Sequence, residues 1–174
     1  MYQVTFRDDD VCYYPGVGID IGVNYLEKFI KTHELMKQYN TPHVIAILAS
    51  GIDYNLGMVD YIKQHQDLIV PQFHGWTHID YTQNHRTAED HFIWGLNRIQ
   101  ATFGKRPTVW YPPWNKSDGF LEKLCHRLGL TVSYEKMSTS EFVWRPRDGT
   151  INFHYWASCD TDYLEDALKI YTKQ

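Results

Sequence analysis

A chain of 174 residues, 43% of them hydrophobic, can bury one good core and is most simply a single domain over its whole length. Its formal net charge of -4 carries no polyanion-binding signature, which argues against nucleic acid as a partner. Three cysteines, Cys12, Cys125 and Cys159, are odd in number and irregular in spacing, so reduced thiols are expected rather than a disulfide framework.

In chain order, the first apolar run, Tyr2–Arg7, predicts a strand that ends on Asp8, Asp9 and Asp10. A Pro/Gly-rich loop, Tyr13–Val23, should ride over the top of the fold. Asn24 can cap a helix carrying Leu26, Phe29, Ile30, His33 and Met36 at helical spacing, ending near Tyr39. The unbroken apolar run Val44–Ala49 reads as a strand buried on both faces of a parallel sheet. A short helix around Met58–Gln64 precedes the strand Leu68–Phe73, which delivers His74 and His78. Thr87 with Asp90 resembles a capping box opening a helix through Phe103, stopped by Gly104. Thr108–Tyr111 is the next strand; Ser117 caps a helix through Leu128 with Gly129 just beyond, and Thr131–Tyr134 returns as a strand. A weaker strand around Glu141–Trp144, a clear one at Ile151–Tyr155 and a last helix, Asp162–Tyr171, complete the count. Repeating βα units with about seven strands predict a parallel α/β barrel or open sheet with right-handed crossovers. The opening carries no basic segment followed by an apolar one, and no apolar run is long enough to span a bilayer. A cytoplasmic location without a membrane partner is therefore expected.

One carboxylate and two imidazoles are what a hydrolytic zinc-type site requires, with a coordination position left for water. A spare aspartate beside the ligand can then act as base. A single His-x-x-x-His pair among nine histidines carries little weight alone. Its weight comes from position: the acids and the histidines each sit at the C-terminal end of a strand-like run, where parallel α/β folds collect functional groups. The six Trp and thirteen Tyr are mostly core or half-buried residues in the plainer reading, yet a carbohydrate cleft also uses exposed rings.

Four short motifs, in order along nearly the whole chain, resemble those of the polysaccharide deacetylase superfamily, the catalytic domain of carbohydrate esterase family four and its relatives. They are Thr5-Phe6-Arg7-Asp8-Asp9-Asp10, His74-Gly75-Trp76-Thr77-His78, Trp110-Tyr111-Pro112-Pro113-Trp114-Asn115 and Thr150-Ile151-Asn152-Phe153-His154. The resemblance implies a distorted seven-stranded (β/α) barrel and hydrolysis of the N-acetyl amide of an amino sugar or its polymer. It also implies a divalent metal, zinc being the expected one, on Asp10, His74 and His78, with Asp9 as base and His154 as the acid that protonates the amine. Pro113, Trp114 and Asn115 would line the cleft, where Trp76, Trp114, Tyr13 and Trp156 are placed to stack on a sugar face.

The departures from the family pattern matter as much. A third acid and Val11 replace the usual Asp-Asp-Gly ending, so a second register, Asp8 as base and Asp9 as ligand, stays open. Tyr111 stands where the family has an arginine that orients the base. Arg7, two residues from Asp9 and so on the same strand face, can substitute for it or form only a barrel-end salt bridge. No convincing fourth motif is present, although Arg145 and Arg147 fall in that stretch. Asp80, two residues past His78, is either a ring partner of a ligand histidine or a turn residue. His33, His43, His65, His91 and His126 read as surface or core residues, and Cys12 has no evident base partner. Two functions remain open: an N-deacetylase acting on N-acetylated carbohydrate, and a carbohydrate- or metal-binding module of the same fold without turnover.

Overall fold

A computed structural model of the protein describes residues 2–13, 24–134 and 136–173. Most of the Tyr13–Val23 loop lies outside the described residues. Among them, six strands form one parallel sheet: β1 (Val4–Val11), β2 (His43–Leu48), β3 (Ile69–Gly75), β4 (Val109–Trp110), β5 (Thr131–Val132) and β6 (Gly149–Phe153). Their order is β5-β4-β3-β2-β1-β6, so the sheet curls without closing, a single-domain half-barrel of the distorted (β/α) type expected. Helices α1 (Tyr25–Gln38), α2 (Leu56–Gln64), α3 (His85–Phe103), α4 (Gly119–Arg127), α5 (Thr139–Trp144), α6 (Ser158–Thr161) and α7 (Leu164–Thr172) fill the connections.

The seventh strand is the main correction. Glu141–Trp144 belongs to helix α5, because Ser138 caps it by accepting from the Glu141 N–H at 3.1 Å. What remains of the strand is a one-residue parallel bridge, Met137 to Ile151. Two helix starts also differ. Helix α3 begins two residues before Thr87, whose hydroxyl donates to the Asn84 carbonyl instead of capping. Helix α4 is capped by Asp118, not Ser117: its carboxylate accepts from the Phe120 and Leu121 N–H groups, both at 3.0 Å. Gly104 ends α3 in the left-handed conformation, φ 77°, as its position predicts.

The strands bury their side chains on both faces, as parallel strands covered by helices must. Ile45, Ile47, Phe73 and Trp110 pack with Phe29 of α1, Ile62 of α2, Phe92, Leu96 and Ile99 of α3 and Leu121 and Leu124 of α4. A smaller cluster, Phe6, Ile151 and Phe153 with Phe142 of α5 and Leu164 and Leu168 of α7, covers the β1–β6 edge. Between β2 and α2 a 3-10 turn, Ala49–Tyr54, passes under the end of β1, and only glycine fits at its tightest point. A Cβ on Gly51 would lie 1.7 Å from the Cys12 carbonyl oxygen. No helix among the described residues is long and apolar enough to cross a membrane.

Candidate metal centre and its surroundings

The C-terminal ends of β1, β3, β4 and β6 bring the predicted residues to one place. Strict alternation along β1 would send Asp8 and Asp10 to the same face. It fails because Asp10 and Cys12 both have φ 61° and the pairing with β2 slips between Asp8 and Val11. Asp8 consequently turns to one set of partners, the Tyr155 N–H at 2.9 Å and His43 Nε2 at 3.1 Å. Asp10 turns to another. Its Oδ1 lies 3.3 Å from His74 Nε2 and 3.4 Å from His78 Nε2, and its Oδ2 lies 3.6 Å from His154 Nε2.

Those three donors suit a divalent ion. One ligand atom from each of Asp10, His74 and His78 lies within 4.8 Å of the others. Asp10 Oδ1 is buried yet has no hydrogen-bond partner, so the two imidazoles and the carboxylate converge without satisfying one another. His74 Nδ1 contacts the Tyr111 carbonyl oxygen at 2.6 Å, which fixes the proton on Nδ1 and leaves Nε2 free to ligate. Burial holds the His78 pKa below its ordinary value, favouring the neutral, ligating ring. Burial alone would raise Asp10, but the adjoining His74, His78 and His154 lower it on balance, so it is a carboxylate.

Beside this set, Asp9 is tethered through one oxygen. Its Oδ2 accepts from Arg7 Nη2 at 2.8 Å and from Asn152 Nδ2 at 2.8 Å, while Oδ1 is buried and unpartnered. Arg7 is fully buried; it also donates to Asn115 Oδ1 at 3.2 Å and lies 4.7 Å above the ring of Tyr111. His154 Nδ1 meets Asp160 Oδ2 at 2.6 Å, and the same oxygen accepts from the His154 N–H at 3.1 Å. Burial would lower the His154 pKa, but the Asp160 bond and the charges of Asp10, Asp9 and Asp160 outweigh it and raise the value. Burial pushes the Asp8 carboxyl well above the usual range, in keeping with its distance from solvent.

The remaining predicted residues divide. Trp114, in a left-handed conformation at φ 51°, stands edge-on to His78 with ring centroids 4.3 Å apart and is half exposed. Pro113 is buried at the start of the same 3-10 turn, and Asn115, φ 55°, serves Arg7. Two adjacent non-glycine residues with positive φ mark this as a strained loop held by its contacts. Trp76 packs edge-on against Trp94, and Trp156 lies 5.0 Å from the His154 ring. Asp80 is the exception. It takes Lys116 Nζ at 2.8 Å and the Thr82 N–H and hydroxyl, so it is a turn residue rather than a ring partner of His78.

Three contributors were not anticipated from the sequence. Asn152 sits opposite Arg7 in the β1–β6 register, so both reach Asp9 from neighbouring strands. Asp160 lies on α6, where no motif announces it. His43, read as a plain core or surface histidine, is core but carries the Asp8 hydrogen bond. Cys12 is buried and its thiol is pushed up to about 12, which makes it inert.

The fold is that of solved polysaccharide deacetylases, which bears out the expected resemblance at the level of fold. Family 4 carbohydrate esterase from Streptomyces lividans, solved in complex with acetate, superposes with a TM-score of 0.75 at 16% identity, over 99% of this chain and 88% of that one. Peptidoglycan deacetylase PdaC from Bacillus subtilis gives 0.74 at 16%, over 99% and 84%. BA3943 from Bacillus anthracis, a pseudoenzyme of the same family, gives 0.75 at 13%, over 99% and 61%. At these identities the likeness is one of fold. No protein-family model and no curated protein matches the chain.

Proposed function

We propose that the protein is a divergent, metal-dependent member of the polysaccharide deacetylase superfamily that hydrolyses the N-acetyl amide of an amino sugar or its polymer. The observation that carries this reading is the convergence of Asp10, His74 and His78 with an unpartnered buried oxygen at their centre, flanked by Asp9 and His154. A divalent ion held by those three, zinc being the expected one, supplies acidification of a water and polarisation of the amide carbonyl.

The chain's own groups do the proton work. Asp9 keeps Oδ1 free to take a proton because Arg7 and Asn152 occupy Oδ2. Asp8, engaged by Tyr155 and His43, supports the strand end rather than acting as base. His154 carries its Nε2 toward the centre and gives the amine nitrogen a proton as the C–N bond breaks; Asp160 holds the ring and favours its protonated form. Arg7, gripped by Tyr111 and Asn115, takes the base-orienting role that the family gives to an arginine on the third motif. Trp114, Trp76 and Trp156 form the aromatic border of the cleft, suited to a sugar face.

A pseudoenzyme among the structural neighbours favours one alternative, a binding module without turnover. Binding alone needs neither the tethered Asp9 nor the Asp160–His154 pair. Release of acetate from N-acetylated chito-oligosaccharides by the metal-loaded protein tests the two: acetate release supports the enzyme, and sugar binding without release supports the module.

A further inference from the structure

Four residues separate His74 from His78, a spacing that makes two side chains neighbours on a helix but leaves them about 13 Å apart along a strand. Here His74 lies at the end of β3, and residues 76–78 form an irregular bend. The two rings nevertheless stand 5.3 Å apart, and both Nε2 atoms reach Asp10 Oδ1. The chain between them must therefore be folded back and held there. Two backbone bonds contribute: the Trp76 carbonyl accepts from the Ser50 N–H at 2.9 Å, and the Thr77 carbonyl from the Ile79 N–H at 3.0 Å.

The other holder is Tyr81. Its hydroxyl accepts from the Trp76 N–H at 3.1 Å and donates to the Thr77 carbonyl at 3.2 Å, and His91 Nδ1 meets the same oxygen at 3.3 Å. One phenol thus grips two of the three residues between the histidines. The fit is close: a Cβ on Gly75 would lie 2.8 Å from the Thr77 carbonyl oxygen and 3.1 Å from both Cε2 and the hydroxyl oxygen of Tyr81. Tyr81 is itself fixed. It is 1% exposed, edge-on to Phe92 and Trp110, and it opens the 3-10 turn Tyr81–Gln83 that Asp80 caps by accepting from the Thr82 N–H. Burial pushes its hydroxyl up to about 12, so the donor proton stays in place at neutral pH. His74 is held by other groups: Trp110 Nε1 donates to its carbonyl at 2.9 Å, and the Tyr111 carbonyl takes its ring.

We propose, on the metal-centre reading above, that Tyr81 is a positioning residue for the metal: its hydroxyl sets the bend between the two histidines and thereby places His78 against Asp10. Without that hydroxyl the Trp76 N–H and the Thr77 carbonyl lose a shared anchor, and the bend can relax. His74 and Asp10 stay where they are. One donor of three is loosened, and an ion held by the set is bound less tightly and in an altered geometry.

The test needs no turnover. Zinc affinity is measured by competition with a chromophoric chelator, and the visible absorption of the Co(II)-substituted protein reports the geometry of the centre. Tyr81→Phe keeps the packed ring and should weaken zinc binding about 10–100-fold with a changed cobalt spectrum. Gly75→Ala, which pushes on the same bend while leaving the hydroxyl in place, should weaken zinc in the same way and serves where Tyr81→Phe does not fold. Ile99→Ala loosens the core beneath α3 without touching the bend and should bind zinc as the wild type does. Wild-type affinity and spectrum in both Tyr81→Phe and Gly75→Ala overturn the positioning role and leave the metal centre standing. An equal loss in Ile99→Ala also overturns it, since the effect is then one of general stability. A wild-type protein that takes up neither zinc nor cobalt overturns the metal centre and the proposal with it.

Discussion

Arg7 and Tyr111 meet across two strand ends, the guanidinium 4.7 Å above the ring, and the same guanidinium holds Asp9 at 2.8 Å. The resemblance places an arginine at the Tyr111 position, so charge and anchor have changed places: the cation is on β1 and the residue opposite is the ring it rests on. A lysine at position 7 cannot reproduce the fork or the stacking. Arg7→Lys should keep its metal and lose about 10–100-fold in kcat, the equivalent of one charge-assisted hydrogen bond of roughly 1.5–3 kcal/mol. Unchanged kcat at equal metal content would remove Arg7 from the base-orienting role.

Metal binding is expected to depend on all three donors. His74→Ala leaves too few for tight binding and should lose most of about one zinc per chain, measured by elemental analysis. Because an ion bound only by the folded state stabilises it, a chelator should lower the Tm of the wild type and not that of His74→Ala. Equal occupancy in the two proteins would reject the assignment.

Within the acidic triplet, each position should behave differently. Asp10→Asn should weaken metal binding; Asp9→Asn should keep the metal and abolish turnover. Asp8→Asn should retain both, at a stability cost of about 1 kcal/mol for the altered His43 and Tyr155 contacts. The reverse pattern, metal lost with Asp9→Asn and Asp10→Asn silent, would establish the other register.

Replacement of His154 should separate chemistry from metal binding. His154→Ala is expected to lose roughly 10²–10⁴-fold in kcat at unchanged metal content. Asp160→Asn removes the charge that favours protonated His154, so its rate should fall at neutral pH and recover toward acid pH. Rates that are insensitive to Asp160→Asn across that range would leave Asp160 a structural cap of the His154 loop.

His33 predicts an acid-sensitive core. Buried beside His43 and His65, its pKa is pushed down to about 4 by burial first, then by those two neighbours. The unfolded chain binds this proton below about 6.5 and the folded one only near 4, so the stabilisation is full above 6.5 and is lost as pH falls toward 4. At about 1.36 kcal/mol per unit the change is on the order of 3 kcal/mol. His43, pushed down to about 3 by burial, carries the same dependence, so His33→Phe should reduce the fall of the urea midpoint between pH 6.5 and 4 without abolishing it; an unaltered slope would assign the acid sensitivity elsewhere.

Local chemistry in the sequence was enough for most of the architecture and for the residues that the fold gathers into the candidate metal site. Apolar runs of strand length, the helical spacing on α1 and the Gly104 and Gly129 stops depend on neighbours along the chain, and the elements they predict are present. Where two local rules competed, the sequence misled: Ser138 and Glu141 open a helix that an apolar run alone reads as a strand. That the Asp8–Asp10 triplet would meet His74 and His78 was legible because both groups fall at or just past a strand end, and parallel strands share one functional end. Which aspartate faces the histidines was not legible, since alternation alone cannot reveal the left-handed φ at Asp10 that breaks it. Nor could sequence spacing show that Asn152 lies opposite Arg7, that Asp160 reaches His154, or that Asp80 turns to Lys116. Those pairings come from strand register and loop path, which bring together groups up to 145 residues apart such as Arg7 and Asn152, and only the folded sheet sets them.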